Sequence, residues 1–496
     1  MRYTFIYYCL IISLLAGNDI SAQEGYGDQL IFGLFSAPLP SGTILRYNGS
    51  SVIKEPINKP MELGSSSTIM CDSAGNMLFY SNGCYIANAT HQMMMNGDSI
   101  GQKKLETSYC KTSGSPINFG ITALPAPEMS NLYYLIYTDL SNPYTMSGFF
   151  PLAPITLYYA VIDMTLDNGL GGVTLKHQPI IQDTFSRGMI KAQRHINGKD
   201  WWIIMPKSHS NCYWTALLTK NGIDTVFSQC LGVNWGDKDA GGQSSFSPSG
   251  KQYARMNFYH GLNIFDFDQS SGLFSNPKQV NIETDTFYFG GLAYAPNSRY
   301  IYTSCYSKLY QFDTKANDIS SSQVLVGELT TPSNISEKTH FNLMHLMPDG
   351  KIYIAGLGGN KHLHVIHSPN CYSQESNLEQ YAIPLYARTS NNMSNIPHFR
   401  HWSESDSCQA VYTNPSPMEA HQINFFPNPT TNSLMAKGLN VGDRLILWDI
   451  TGKIERHFLY TGEPFNLADL SPGFYMILVF RENMQIGVYK IAKLTH

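Results

Sequence analysis

Few residues of this chain combine the type and the spacing that chemistry needs. His362, His364 and His367 are the best metal candidate. On a strand, His362 and His364 share one face and His367 takes the other, which leaves two imidazoles without a nearby carboxylate, short of a ligand set. His340 and His345 are five apart and face oppositely. Asp237 and Asp239 flank Lys238 in a loop that runs from Trp235 to Gly242. Two such carboxylates can act as acid and base in glycoside cleavage, or simply solvate a surface loop. Asp266 and Asp268 alternate with Phe265 and Phe267 ahead of Ser270-Ser271-Gly272. That is a strand running into a turn, without the spaced carboxylates and glycine of a calcium loop. Trp201, Trp202, Trp214 and Trp235 are of the type that stacks on sugar rings, but adjacent Trp201 and Trp202 point to opposite faces, so at least one belongs to a core. There is no Gly-Xaa-Ser-Xaa-Gly elbow, phosphate loop, dinucleotide fingerprint or His-Glu-Xaa-Xaa-His pair. No catalytic, cofactor-binding or metal residue is assigned, and no cofactor is implied.

The elements that would position these groups are strands. Of 496 residues, 43% are hydrophobic and 14% charged, enough to bury a large core, and Gly 40, Pro 26, Tyr 31 and Phe 25 supply turn and strand formers together. The net charge is -4, with no basic surplus to neutralise a phosphate backbone, which argues against nucleic acid as a partner. A turn rich in Pro, Gly, Asn or Asp recurs, each time followed by an apolar and aromatic strand. It stands at Asp72–Gly75, Met129–Asn131, Asn197–Asp200, Ser247–Gly250, Ala295–Ser298 and Met347–Gly350. Aligned on the turn residue, Gly198 to Gly250 is 52, Gly250 to Ser298 is 48 and Ser298 to Gly350 is 52. A period near 50 without helical spacing is that of β-propeller blades, four-stranded sheets that bury their faces only by stacking round an axis. The longer early intervals, about 55 from Gly75 to Ser130 and 68 from Ser130 to Gly198, imply insertions. Six turns are visible, and the stretch holding Leu30-Ile31-Phe32 and Thr43 to Tyr47 supplies a seventh blade, closed by strands from residues 362–402; seven blades are expected, with six as the alternative. A large sandwich, or two unrelated β-domains, is the competing architecture.

Both ends read as export signals. An apolar run from Phe5 to Ala16 is too short to span a bilayer and fits a signal peptide core, with cleavage after Ala22, so residues 1–22 are expected to be removed. No later apolar run reaches 18 residues, and the mature chain is expected to have no transmembrane segment. Without Cys9, eight cysteines remain: Cys71, Cys84, Cys110, Cys212, Cys230, Cys305, Cys371 and Cys408. An even number in an exported chain suggests disulfides. Short separations favour Cys71 with Cys84 and Cys212 with Cys230, and leave Cys110 and Cys305 as the expected free thiols. No Cys-Xaa-Xaa-Cys is present, so structural zinc is unsupported.

After Trp402 the composition turns polar and proline-rich, so 404–423 is expected to be a linker between the 23–403 propeller and a second domain at 424–496. About seven short strands in those last residues make a small Ig-like β-sandwich pattern. The run Asp72 to Tyr80 with Asn82-Gly83, the strand Tyr158 to Met164 with Gly169-Leu170-Gly171, and the turn Pro348 to Tyr353 resemble the propeller-type ectodomain of secreted and surface proteins of Bacteroidota. Residues 424–496 resemble the type A C-terminal sorting domain of the type IX secretion system. The likeness lies in Phe426-Pro427-Asn428-Pro429-Thr430, Asp449 to Gly452-Lys453, Asn466-Leu467 with Leu470 to Gly473-Phe474-Tyr475, and Lys490-Ile491-Ala492-Lys493. The final Leu494-Thr495-His496 departs slightly from the usual basic ending. The resemblance implies transport through the periplasm, recognition by the type IX machinery at the outer membrane, and release or anchoring at the cell surface. The expected function is non-catalytic binding of a glycan or protein ligand, with a glycan-active hydrolase or lyase and a structural adhesion component as alternatives.

Overall fold

A computed structural model describes residues 25–34, 39–101, 106–139, 154–236, 242–257, 259–284, 290–333, 335, 339–389, 391–400, 402, 404, 408, 423–449, 454–481 and 484–495. The chain is all-β and divides into two compact units, Met1–Ala410 and Val411–His496. No helix among the described residues is long and apolar enough to cross a membrane.

The first unit is a β-propeller assembled from small antiparallel sheets in which strands lie side by side in chain order. Seven are seen among the described residues, spanning 29–57, 68–88, 121–182, 191–230, 244–280, 292–328 and 340–389; the first two have three strands and the others four. First strands of successive sheets are neighbours. Gln29–Phe32 lies beside Thr68–Cys71, which lies beside Ile121–Pro125; Lys191–Arg194, Ser244–Phe246, Leu292–Tyr294 and His340–Leu346 form a second such series. Burial falls from the inside out: Trp201–Pro206 and Tyr300–Cys305 are buried along their whole length, whereas Gly222–Cys230 is mostly exposed. Stacked faces thus supply the core, and exposure rises towards the outermost strands.

The recurring turns are the hairpins between the first and second strands of the second to seventh sheets. Each closes with a backbone bond from the fourth turn residue to the first: Gly75 to Asp72, Met129 to Ala126, Gly198 to His195, Gly250 to Ser247, Ser298 to Ala295 and Gly350 to Met347. The turns need a residue at positive φ, which Gly198 (72°), Gly250 (73°) and Gly350 (77°) adopt freely and Ser298 (60°) adopts at some cost. Among the described residues the first sheet shows no such turn. Its strands were expected to be closed by 362–402, but Asn360–Ile366 and Leu378–Thr389 are the outer strands of the seventh sheet. Leu378–Thr389 then reaches across to the first sheet, with Leu34 N donating to Arg388 O at 2.8 Å and Tyr386 N to Thr43 Oγ1 at 2.9 Å.

Three disulfides are present among the described residues: Cys84–Cys110, Cys212–Cys230 and Cys371–Cys408. The expected Cys212–Cys230 pair sits at directly opposed ladder positions. The expected Cys71–Cys84 pair does not form, and Cys110 is not free. Cys71 lies on an inner strand opposite Met77, while Cys84 follows the second strand of that sheet and meets Cys110 on the inserted helix Glu106–Thr112. Sequence separation was a poor guide because a hairpin pairs Cys71 with its own turn, not with the residue beyond the next strand. Cys71 and Cys305 are free and buried, and burial pushes the Cys305 thiol up to about 12. Alkylation of the chain from residue 23 onward, unfolded without reductant, should label two cysteines, and the folded chain should react slowly at both. Labelling of three or more would contradict the pairing. Two groups in the stretch expected to be a linker are tied to the first unit, Cys408 by its disulfide and Glu404 by an ion pair with Lys251 at 2.8 Å.

The second unit has a three-stranded sheet (Asn424–Phe426, Ser433–Lys437, Phe465–Asn466) and a four-stranded one. The latter has the order Ile454–Leu459, Arg444–Asp449, Gly473–Arg481, Met484–Lys493. Leu445 and Leu447, with Tyr475, Ile477 and Val479, alternate inward and form its separate core with Leu434 and Phe465.

Candidate functional site

The chain crosses the middle of the first unit once more after its last sheet. Residues 391–398 (Asn-Asn-Met-Ser-Asn-Ile-Pro-His) form no strand and bond to the inner strands of the first four sheets. Ser394 Oγ accepts from Ile31 N at 3.2 Å, and Ser67 Oγ donates to Asn392 Oδ1 at 2.9 Å. Asn395 is the hub. Its N–H donates to Ser67 O, its carbonyl oxygen accepts from Thr68 Oγ1 and Thr122 Oγ1, and its side-chain amide donates to Ile121 O and Ile190 O, both at 2.9 Å. Its Oδ1 accepts from Lys191 Nζ at 2.6 Å. Inner-strand carbonyls that have no ladder partner towards the axis are satisfied by this polar segment, as buried backbone groups must be.

Beside the segment lies a cavity of about 20 Å³, lined in part by Lys191, Gln243, Phe246, His345 and His398, with room for about one water. Lys191 also stands 4.3 Å above the Phe119 ring. His345 and His398 stack with centroids 6.3 Å apart. Burial pushes the Lys191 ammonium down to about 7. Burial first, and then the Lys191 charge, push His398 down to about 4 despite an opposing hydrogen bond to the Phe246 backbone. His345 is held well below the ordinary histidine range by burial, then by His398 and Lys191. A second opening, lined among others by Gly27, Pro348, Arg400 and Trp402, shares His345 and His398 with the cavity.

Of these axial residues the sequence singled out His345 alone, beside His340, and assigned it no role. The other candidates go elsewhere. His362 and His364 do share a face, both rings lying against Tyr381 at 5.7 and 4.9 Å. His364 Nδ1 accepts the Tyr381 N–H, and burial followed by the His362 charge brings His364 down to about 3. His367 pairs with Glu379 at 2.7 Å, and His340 stacks on Tyr306. Among the described residues no group of three or more His, Cys, Asp or Glu could hold a metal. Asp237 and Asp239 lie outside the described residues. Asp268 accepts from Ser270 and Ser271 in its own turn, and Asp266 accepts from Asn276. Trp201 and Trp202 are both core and donate to Pro125 O and Gln269 O. Half-buried Trp214 donates to Asp183, and buried Trp235 stacks on His260 beneath Arg255. A tryptophan used for packing is not a sugar platform.

In the second unit, motif residues far apart in sequence come together. Asn428 Nδ2 donates to Lys490 O at 2.8 Å and its Oδ1 accepts from Ala492 N at 2.9 Å, which lays Pro427, Asn428 and Pro429 along the last strand. Gly473 pairs with Lys493, and Tyr475 pairs with Ile491 on one side and Asp449 on the other. Tyr475 Oη donates to Ser471 O at 2.7 Å, and Lys490 Nζ stands 4.1 Å above the exposed Phe474 ring. Lys493 is buried and Lys490 exposed. Gly452 and Lys453 lie outside the described residues.

No protein-family model matches this chain, and no curated protein matches it. Solved structures similar to it include a periplasmic gluconolactonase of Pseudomonas aeruginosa, at 10% identity and TM-score 0.34 over 88% of this chain and 97% of that one. A functionally unknown protein from Desulfotomaculum acetoxidans is similar at 12% identity and TM-score 0.39, over 74% and 99%. A β-propeller domain from Myceliophteria thermophila is similar at 12% identity and TM-score 0.33, over 64% and 86%. Likenesses this distant assign no activity to the chain.

Proposed function

We propose that this chain is a seven-bladed propeller, exported through the periplasm and delivered to the cell surface or medium by the type IX machinery, which reads residues 424–496. At the surface the propeller binds a glycan or protein ligand without transforming it. The observation that carries the export reading is the convergence of the Pro427–Pro429, Asp449, Gly473–Tyr475 and Lys490–Lys493 segments at one end of the four-stranded sheet, where Pro427, Asn428, Pro429, Phe474 and Lys490 are exposed to one receptor. Exposed Phe426 and Phe474 add apolar surface there beside the Lys490 charge. Three disulfides suit an oxidising compartment. The binding reading is supported by the axial segment: with residues 391–398 in place, the inner cavity is water-sized, and a sugar ring must be met by the outer loops.

A glycan and polysaccharide array on the mature chain, read for binding and for released product, tests the second half of the proposal. Saturable binding with the glycan recovered intact is the expected result. Shortened or unsaturated product would make the protein an enzyme, and multivalent cell adhesion without saturable ligand binding would make it a structural component.

A further inference from the structure

Lys191 comes from the first strand of the fourth sheet, His345 from the first strand of the seventh and His398 from the axial segment, yet all three line one water-sized cavity. Among the described residues no carboxylate lines it. Gln243 is already committed, donating to Met344 O and accepting from Leu292 N and Met344 N, whereas the buried Tyr294 hydroxyl in the lining has no partner among the described residues. Lys191 has one hydrogen-bond acceptor among the described residues, Asn395 Oδ1, for three ammonium protons. The His345 ring has stacking contacts but no hydrogen bond among the described residues. Basic donors gathered from three elements, short of acceptors and without a counter-charge, describe one half of an ion pair. We propose that this axial cavity is an anion site, holding a halide-sized ion or the charged end of a carboxylate ligand between Lys191, His345 and His398.

The adjoining opening gives the way in, because His345 and His398 line both spaces. Arg400 at that opening is paired with Asp28 at 3.1 Å, so the charge of that carboxylate is compensated. The titratable groups facing the site are Lys191, His345 and His398, with the Tyr294 hydroxyl beside them; Lys191 lowers both histidines and His398 lowers His345. An anion reverses that repulsion and favours the protonated form of all three. With Lys191 at about 7, the proton that binding fixes on its ammonium is taken up above neutrality, so affinity should fall about tenfold from pH 6 to pH 8.

The site is independent of the export reading. Chloride-35 line broadening on the full mature chain, with glucuronate as competitor, tests it. Saturable broadening at pH 6 is expected, weakened about tenfold at pH 8 and at least about tenfold in both H345N and K191M. K191M strips a partner from Asn395 and can unfold the chain, whereas H345N removes a ring that holds no hydrogen bond, so the second variant keeps the test decisive. Displacement of chloride by glucuronate assigns the site to the carboxylate end of a larger ligand, and its failure to displace assigns it to the free ion; either supports the site. Absence of saturable broadening in the unmodified chain at pH 6, or unchanged broadening in H345N, would overturn it.

Discussion

Replacing Asn395 with leucine is expected to destabilise the propeller by about 3–5 kcal/mol, the range reached when one change strands several buried polar groups. Leucine is close in volume, so the loss is polar and not a cavity effect. Ile121 O, Ile190 O and Lys191 Nζ would each lose the partner that the Asn395 amide provides. These belong to the third and fourth sheets, and the Asn395 backbone joins them to the second through Ser67 and Thr68. A single residue thus ties together three sheets, in addition to bonds such as that from Trp201 Nε1 to Pro125 O. Urea unfolding followed by tryptophan fluorescence, which reports on buried Trp201 and Trp202, measures the effect. A loss under about 1 kcal/mol would mean that water replaces the amide at no cost and that the axial segment is not a fastener.

The strands of this unit are legible in the sequence because hairpin corners impose local backbone demands. Gly198, Gly250 and Gly350 stand where φ must be positive, and the aromatic strand after each turn follows the burial of a second blade strand, so a period emerges without knowledge of any long-range contact. The axial segment is illegible for the converse reason. Asn392, Ser394 and Asn395 have no periodicity, and their partners Ile31, Ser67 and Ile121 lie hundreds of positions away. Polar residues just before a polar stretch look like its beginning. Lys191 is equally silent, because it sits in a strand whose neighbours explain it as β-structure, and His345 was noticed only beside His340, without the Lys191 and His398 that give it a setting. The cysteines fall between these cases: Cys212 and Cys230 are joined by a simple hairpin and are found by spacing, whereas Cys84 and Cys110 are joined by the insertion that lengthens the early interval.

Deletion of residues 424–496 should abolish surface delivery while leaving the propeller folded. Leu434, Leu445, Leu447, Phe465 and Val479 form a core of their own, and the propeller core draws on none of them. With a core of its own, the truncated chain should unfold at the same urea concentration as the first unit of the full chain. What it removes is the edge where Asn428 grips Lys490 and Ala492 and where Gly473 faces Lys493. The full chain and the truncation, expressed in a host that carries the type IX machinery, should differ at least tenfold in surface or medium content, with the truncated propeller retained in the periplasm, disulfide-bonded and soluble.

Cell fractionation with protease shaving of intact cells, comparing the full chain with the chain ending at residue 423, tests the central claim most directly. Export of the full chain, together with a folded, protease-shielded periplasmic truncation, is the result predicted here. Equal surface or medium levels for the two would contradict it, and would leave the last 73 residues as an ordinary β-module with no part in delivery.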